Sequence, residues 1–114
     1  MVVKITPFIA NGQIVAPPSK SVAHRLLIAS ALKKGKTVIK NVGNSADVIA
    51  TCNCLNALGA SVTLCEGNAF VDGIKEVKKG AFLDCNESGS TLRFLLSVSC
   101  ALGANAIFTG STKL

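Results

Sequence analysis

The chain has 114 residues, 49% of them apolar, with 12 Lys and Arg against 6 Asp and Glu, five Phe and neither Trp nor Tyr. That length suits one small domain, no apolar run approaches the roughly 18 residues a membrane span needs, and MVVKITPFIANG lacks the long apolar block of a secretory signal. The formal charge of +6 calls for an anionic partner, and because the Phe residues sit in apolar runs without interleaved basic residues, a small phosphorylated molecule is favoured over nucleic acid.

Val3, Ile5, Ile14 and Val15 flank Asn11-Gly12, a dipeptide suited to a tight hairpin turn, which predicts two short strands within residues 2 to 15. Pro17-Pro18 stops them. Ser19 then caps a predicted helix over Lys20 to Leu32, with apolar residues at Val22, Leu26, Leu27, Ala29 and Ala31. Lys33, Lys34 and Gly35 supply a cationic last turn and a stop before the β-rich run Thr37-Val38-Ile39. Ser45, with Asp47 in the first turn, opens a second helix that Gly59 ends. Strands follow at Ser61 to Cys65 and Ala69 to Asp72, with a short one near Phe82-Leu83. Ser88-Gly89-Ser90 leads into a third helix over Thr91 to Leu102, closed by Gly103 and followed by a strand over Ala106 to Phe108.

The chain repeats itself. SKSVAHRLLIASALKKGKTVIKN and SGSTLRFLLSVSCALGANAIFTG align with one gap, matching Ser19, Ser21, Arg25, Leu27, Gly35 and Ile39 to Ser88, Ser90, Arg93, Leu95, Gly103 and Ile107. A period near 68 residues is longer than those of solenoids, so the expected architecture is an α/β chain of repeated β-α-β-α-β-β units, the second incomplete.

Cys52, Cys54, Cys65, Cys85 and Cys100 are an odd set without C-x-x-C spacing, which predicts reduced, mostly buried thiols rather than disulfides or a metal site. Cys52 and Cys54 lie two apart on a helix and point in different directions, and no suitably placed His completes a set of ligands. Reduced thiols and the absence of a signal place the protein in the cytoplasm.

Both copies set Ser-x-Ser at a helix start with an Arg one turn in, so free backbone N–H groups, hydroxyls and a guanidinium can face an anion. Ser21 and Arg25 share a helix face, and Lys20 at the mouth can reach a second anion. Spacing alone leaves this open, because capping serines are common and surface arginines are usually solvated.

APPSKSVAHRLLIASAL resembles the signature of 5-enolpyruvylshikimate-3-phosphate synthases, and NESGSTLRFL resembles their second motif. NVGNSADV, LNALGASV and FTGSTKL extend the likeness over essentially the whole chain. The resemblance implies a two-domain inside-out α/β barrel of which this chain is an N-terminal part. Residues 1–17 would then be strands packing with the C-terminal domain, and 18–114 part of the N-terminal domain. It implies enolpyruvyl transfer from phosphoenolpyruvate to the 5-hydroxyl of shikimate 3-phosphate, with no cofactor or metal. Lys20, Ser21 and Arg25 would bind shikimate 3-phosphate. Lys20 would also reach phosphoenolpyruvate, for which Gly89 offers backbone contact, with Ser90 and Arg93 as neighbouring candidates. Lys20 is the catalytic candidate.

The family's acid–base residues belong to its C-terminal half, so residues 1–114 alone are expected to be inactive. The family enzyme is expected to be monomeric, whereas this chain, with unpaired edges in residues 1–17, would self-associate. Two departures stand out. Glu87 replaces a common Asn and would repel anions unless Arg or Lys neutralises it. His24 also replaces a common Asn and, facing another side of the helix from Arg25, is assigned a structural role. Two alternatives were weighed: a sibling transferase acting on UDP-N-acetylglucosamine, disfavoured by Lys20-Ser21 where it usually has Lys-Asn, and a basic nucleic-acid-binding module, disfavoured for want of exposed aromatics.

Overall fold

The computed structural model describes all residues from Met1 to Leu114. Three 13-residue helices form it, α1 (Lys20–Leu32), α2 (Ala46–Leu58) and α3 (Gly89–Ala101), with five strands, β1 (Lys36–Ile39), β2 (Ser61–Cys65), β3 (Asn68–Asp72), β4 (Phe82–Asp84) and β5 (Ile107–Thr109). The predicted helices and the strands from residue 36 onward are all present, with ends displaced by at most two residues.

β1, β3 and β2 make an antiparallel sheet in that order, with Ile39 opposite Ala69 and Val62 opposite Val71. Alternation along β3 turns Ala69 and Val71 into the core and Phe70 outward. β2 and β3 are joined through Glu66 and Gly67, both at positive φ (49° and 73°), as a tight two-residue hairpin turn requires.

α1 and α2 cover the inner face of this sheet. Leu27, Leu55, Leu58, Val48, Val71, Leu83 and Leu95 fill one continuous core that extends beneath α3. β4 and β5 pair in parallel, so β4-α3-β5 is a strand, crossover helix, strand unit. Residues 73 to 80 bind back across the helix C-termini: Ile74 N–H donates to Ala31, Lys78 N–H to Leu58 and Gly80 N–H to the Ala104 carbonyl.

Two local expectations are corrected. Residues 1–18 form no strands, and Val2, Ile5, Phe8, Ile9, Ile14 and Val15 lie exposed. A lone two-stranded hairpin is marginal in water, and no third strand of residues 1–114 pairs with this stretch to stabilise one. Lys33 and Lys34 are not the last turn of α1 either, because the helix ends at Leu32 and Lys33 is already extended (φ −81°, ψ 139°).

Candidate functional site

The starts of all three helices converge. Ser19 Oγ accepts from Val22 N–H (3.4 Å), Ser45 Oγ from Val48 N–H (3.4 Å) and Ser88 Oγ from Thr91 N–H (3.2 Å), which satisfies one otherwise unpaired amide in each first turn. Ahead of α3 the chain is folded tightly: Asn86 adopts φ 50° with its N–H on Asp84 Oδ1 (2.9 Å), and Ser88 N–H donates to the Cys85 carbonyl. The remaining amides of α1 and α3 and the positive ends of their dipoles therefore open on one side of the molecule.

Lys20 Nζ donates to Asp47 Oδ2 at 2.8 Å, joining the mouths of α1 and α2. The Asp47 hydrogen bond and charge, with a further contribution from Glu87, raise the Lys20 pKa above its ordinary value, so the ammonium stays charged. Arg25 Nη1 donates to the Ser21 carbonyl (2.8 Å), which sets the two on one face of α1, and its guanidinium lies 5.1 Å from the centre of the Phe94 ring on α3. In parallel, Arg93 Nε donates to the Gly89 carbonyl (3.1 Å). Arg25 on α1 thus reaches α3 at Phe94, while Lys20 and Ser21 lie in the first turn of α1 and Gly89 and Ser90 in the first turn of α3.

Gly89 has no positive φ, and a Cβ built there would have only Arg93 Nη2 near it, at 3.9 Å. Neither backbone nor packing within residues 1–114 requires glycine. What its bareness provides is open access to the first-turn backbone of α3.

Glu87 has a counter-charge: Lys113 Nζ lies 4.0 Å from its Oε2, both exposed. The shelf therefore carries Lys20, Arg25, Arg93 and Lys113 against Asp47 and Glu87, and it remains cationic. It is open rather than enclosed. Broader clefts lie elsewhere, such as one of about 440 Å³ on the outer sheet face lined by Lys36, Val38, Phe70 and Asp72, where no set of cations converges.

His24 is no part of the shelf. It is 2% exposed, and its Nδ1 lies 2.7 Å from Thr51 Oγ1. Burial lowers its pKa, outweighing the opposing pull of Asp47, so it is a neutral core residue. The cysteines are free. Burial pushes the Cys52 thiol up to about 11 and the Cys54 thiol up to about 12, and raises that of Cys85, which makes all three poor nucleophiles. Cys65 and Cys100 are exposed.

Sequence reasoning missed three partners: Asp47 for Lys20, Phe94 for Arg25 and Lys113 for Glu87. Asp47 was visible only as a first-turn acid, and the other two come close only through tertiary packing.

Two copies of one helix start, each with an arginine tied to its own first turn, define an α/β scaffold built on an internal duplication. The family described as EPSP synthase (3-phosphoshikimate 1-carboxyvinyltransferase) matches residues 7–114. The chain is 42% identical over 117 residues to a 3-phosphoshikimate 1-carboxyvinyltransferase of Clostridium botulinum (strain Eklund 17B / Type B), covering 97% of this chain and 27% of that protein. It is 41% identical over 112 residues to one of Clostridium perfringens (strain 13 / Type A), covering 96% and 26%. Among solved structures, EPSP synthase from Acinetobacter baumannii superposes with a TM-score of 0.70 at 24% identity, over 90% of this chain and 24% of that one, and so shares its fold. The chain belongs to the EPSP synthase family and spans about a quarter of the length of these relatives.

Proposed function

We propose that the chain is part of an enzyme that transfers the enolpyruvyl group of phosphoenolpyruvate to the 5-hydroxyl of shikimate 3-phosphate, releasing phosphate. In this reading residues 18–114 contribute the wall of the site on which both phosphorylated substrates rest. The observation that carries it is the packing of Arg25 on α1 against Phe94 on α3, which brings together two helices whose first two turns hold Lys20 and Ser21 on one side and Gly89, Ser90 and Arg93 on the other, within a segment that belongs to this family.

Each residue has a task its position permits. Ser21 and Arg25 hold the phosphate of shikimate 3-phosphate with a hydroxyl and a forked guanidinium. The open backbone at Gly89 and Ser90, with Arg93 beside it, receives phosphoenolpyruvate. Lys20 exchanges Asp47 for the substrates, and its ammonium stabilises the negative charge that develops as the tetrahedral intermediate forms and loses phosphate. His24 is buried and neutral and does not reach this wall, and Lys20, its pKa raised beside Asp47, is a weak acid suited to charge stabilisation. Proton delivery is therefore assigned to residues outside 1–114, and this chain alone is expected to show no turnover. Residues 1–17, apolar and exposed, are assigned to strand pairing outside the 18–114 unit and make self-association of this chain the expectation. The free cysteines support placement in the cytoplasm, and no helix is long and apolar enough to cross a membrane.

The test is a titration of the chain with shikimate 3-phosphate followed by backbone amide NMR, with Arg25→Ala alongside. Shifts centred on Lys20, Ser21 and Arg25 that vanish in the variant are expected. Absence of any shift at millimolar ligand would overturn the assignment of a binding wall to these residues.

A further inference from the structure

Four of the six buried polar side chains belong to a single hydrogen-bonded string through the core. His24 on α1 bonds Thr51 on α2 (2.7 Å), Thr51 bonds Thr91 on α3 (2.7 Å), and Thr91 Oγ1 bonds Ser88 Oγ, the cap of α3 (2.7 Å). Their exposures are 2%, 0%, 0% and 3%.

We propose that this string sets the placement of the α3 start relative to α1, and that Thr51 is the positioning residue for capture of shikimate 3-phosphate on the wall these two starts form. The inference rests on reading the α1 and α3 starts as the two sides of the substrate wall. Thr51 touches neither side, yet both are tethered to it.

A threonine hydroxyl carries one hydrogen, so the string has two self-consistent orders: with the Thr91 hydrogen on Ser88 Oγ, Thr51 donates to Thr91 and His24 donates from Nδ1 to Thr51, and in the reverse order Thr91 donates to Thr51 and Thr51 to His24 Nδ1. The first goes with neutral His24 in its Nδ1–H form and the second with Nε2–H. Ser88 Oγ, bonded to both the hydroxyl and the N–H of Thr91, is held in the rotamer that caps α3. The Asp47 carbonyl lies a further 3.4 Å from Thr91 Oγ1, which ties the same string to the residue that pairs with Lys20.

Apolar side chains at these positions would fill the core as well and avoid the need for matched partners, but apolar contacts tolerate sliding. Hydrogen bonds near 2.7 Å weaken steeply when misaligned, so three in series hold three helix starts to a defined spacing.

The experiment compares Thr51→Val, which keeps the shape and deletes the hydroxyl, with Thr51→Ser, which keeps the hydroxyl, on the 114-residue chain. Thr51→Ala replaces Thr51→Val if the valine does not fold. Three quantities are read: the amide shifts of Gly89 and Ser90 without ligand, the His24 ring ¹⁵N shifts that report its tautomer, and the shikimate 3-phosphate Kd, with the thermal midpoint measured in parallel. Thr51→Val is expected to move the Gly89 and Ser90 amides, to change the His24 tautomer balance and to weaken binding by about tenfold, with Thr51→Ser within about twofold of wild type.

A Thr51→Val protein whose Gly89 and Ser90 amides are unmoved would overturn the proposal. So would one that loses thermal stability while its folded population binds as wild type does, since that is a packing role only. If wild type itself binds no shikimate 3-phosphate, the functional reading fails separately. The amide shifts then still decide the positioning, which stands if they move in Thr51→Val and return in Thr51→Ser and falls otherwise.

Discussion

The two copies of the repeat, α1 with β1 and α3 with β5, share one helix plan. Each helix has 13 residues, a serine cap, an arginine donating to the carbonyl four residues back and a fully buried leucine, Leu27 or Leu95, at the corresponding place. They part at the mouth. The first copy carries Lys20 where the second has Gly89, so one supplies a mobile charge and the other bare backbone. The cap differs too, with Ser19 exposed and Ser88 buried in a bonded string. The surroundings also differ: β4 ahead of α3 pairs with β5, whereas the stretch ahead of α1 is unpaired. What is common to both builds a capped helix start with an arginine tied to its first turn, and what differs divides the proposed chemistry between them.

The largest way to sharpen this contrast is in the core. Leu27→Ala and Leu95→Ala should each cost about 2–5 kcal/mol, as buried leucine truncations do. The first should cost more, because α1 packs on both α2 and the sheet while α3 packs mainly on α2 at the rim, where its neighbours can settle into the void. Urea unfolding of both variants measures the order, and a reversed order would mean that α3, not α1, anchors the fold.

The caps should separate by less. Ser19→Ala removes an exposed cap with a 3.4 Å bond and should cost about 0.5–1 kcal/mol. Ser88→Ala also removes a 2.7 Å partner from the buried Thr91 hydroxyl and breaks the end of the string, and should cost about 2 kcal/mol. Equal losses in thermal unfolding would show that the buried string adds nothing to the second cap.

Most of this scaffold was legible in the letters, because its signals are local. Ser19, Ser45 and Ser88 mark helix starts, Gly59 and Gly103 mark stops, and the apolar spacing of Val48, Cys52, Leu55 and Leu58 marks a buried face. Lys20, Ser21, Arg25, Gly89 and Arg93 were legible because the duplication repeats the pattern and the motifs carry it. Contacts between residues far apart in the chain were not. Nothing in the vicinity of Thr51 announces that it bonds residues 27 positions before and 40 after it. The hairpin around Asn11-Gly12 shows the converse failure: local signals for strands were present, but strand formation needs a neighbouring sheet that residues 1–114 do not place there.

The smallest expected effect is a pH dependence confined to the first copy. His24 is buried there, whereas the corresponding residue of α3 is Leu92. Burial lowers the His24 pKa, with Lys20 and Arg25 acting in the same direction and Asp47 against it. An unfolded histidine titrates near 6.5, so between that value and the lower folded one the unfolded chain binds more protons, and stability rises with pH across this window. The His24 contribution is therefore fully present above about pH 6.5 and is lost as pH falls toward the folded value, below which it changes no further. Thermal midpoints at pH 7.5 and 5.5 should fall on acidification for wild type and fall less for His24→Asn, which cannot take up the proton. The carboxylates are common to both proteins, so the difference isolates the histidine. An equal fall in both would mean that His24 does not carry the acid loss, and the two copies would then answer to pH as one unit.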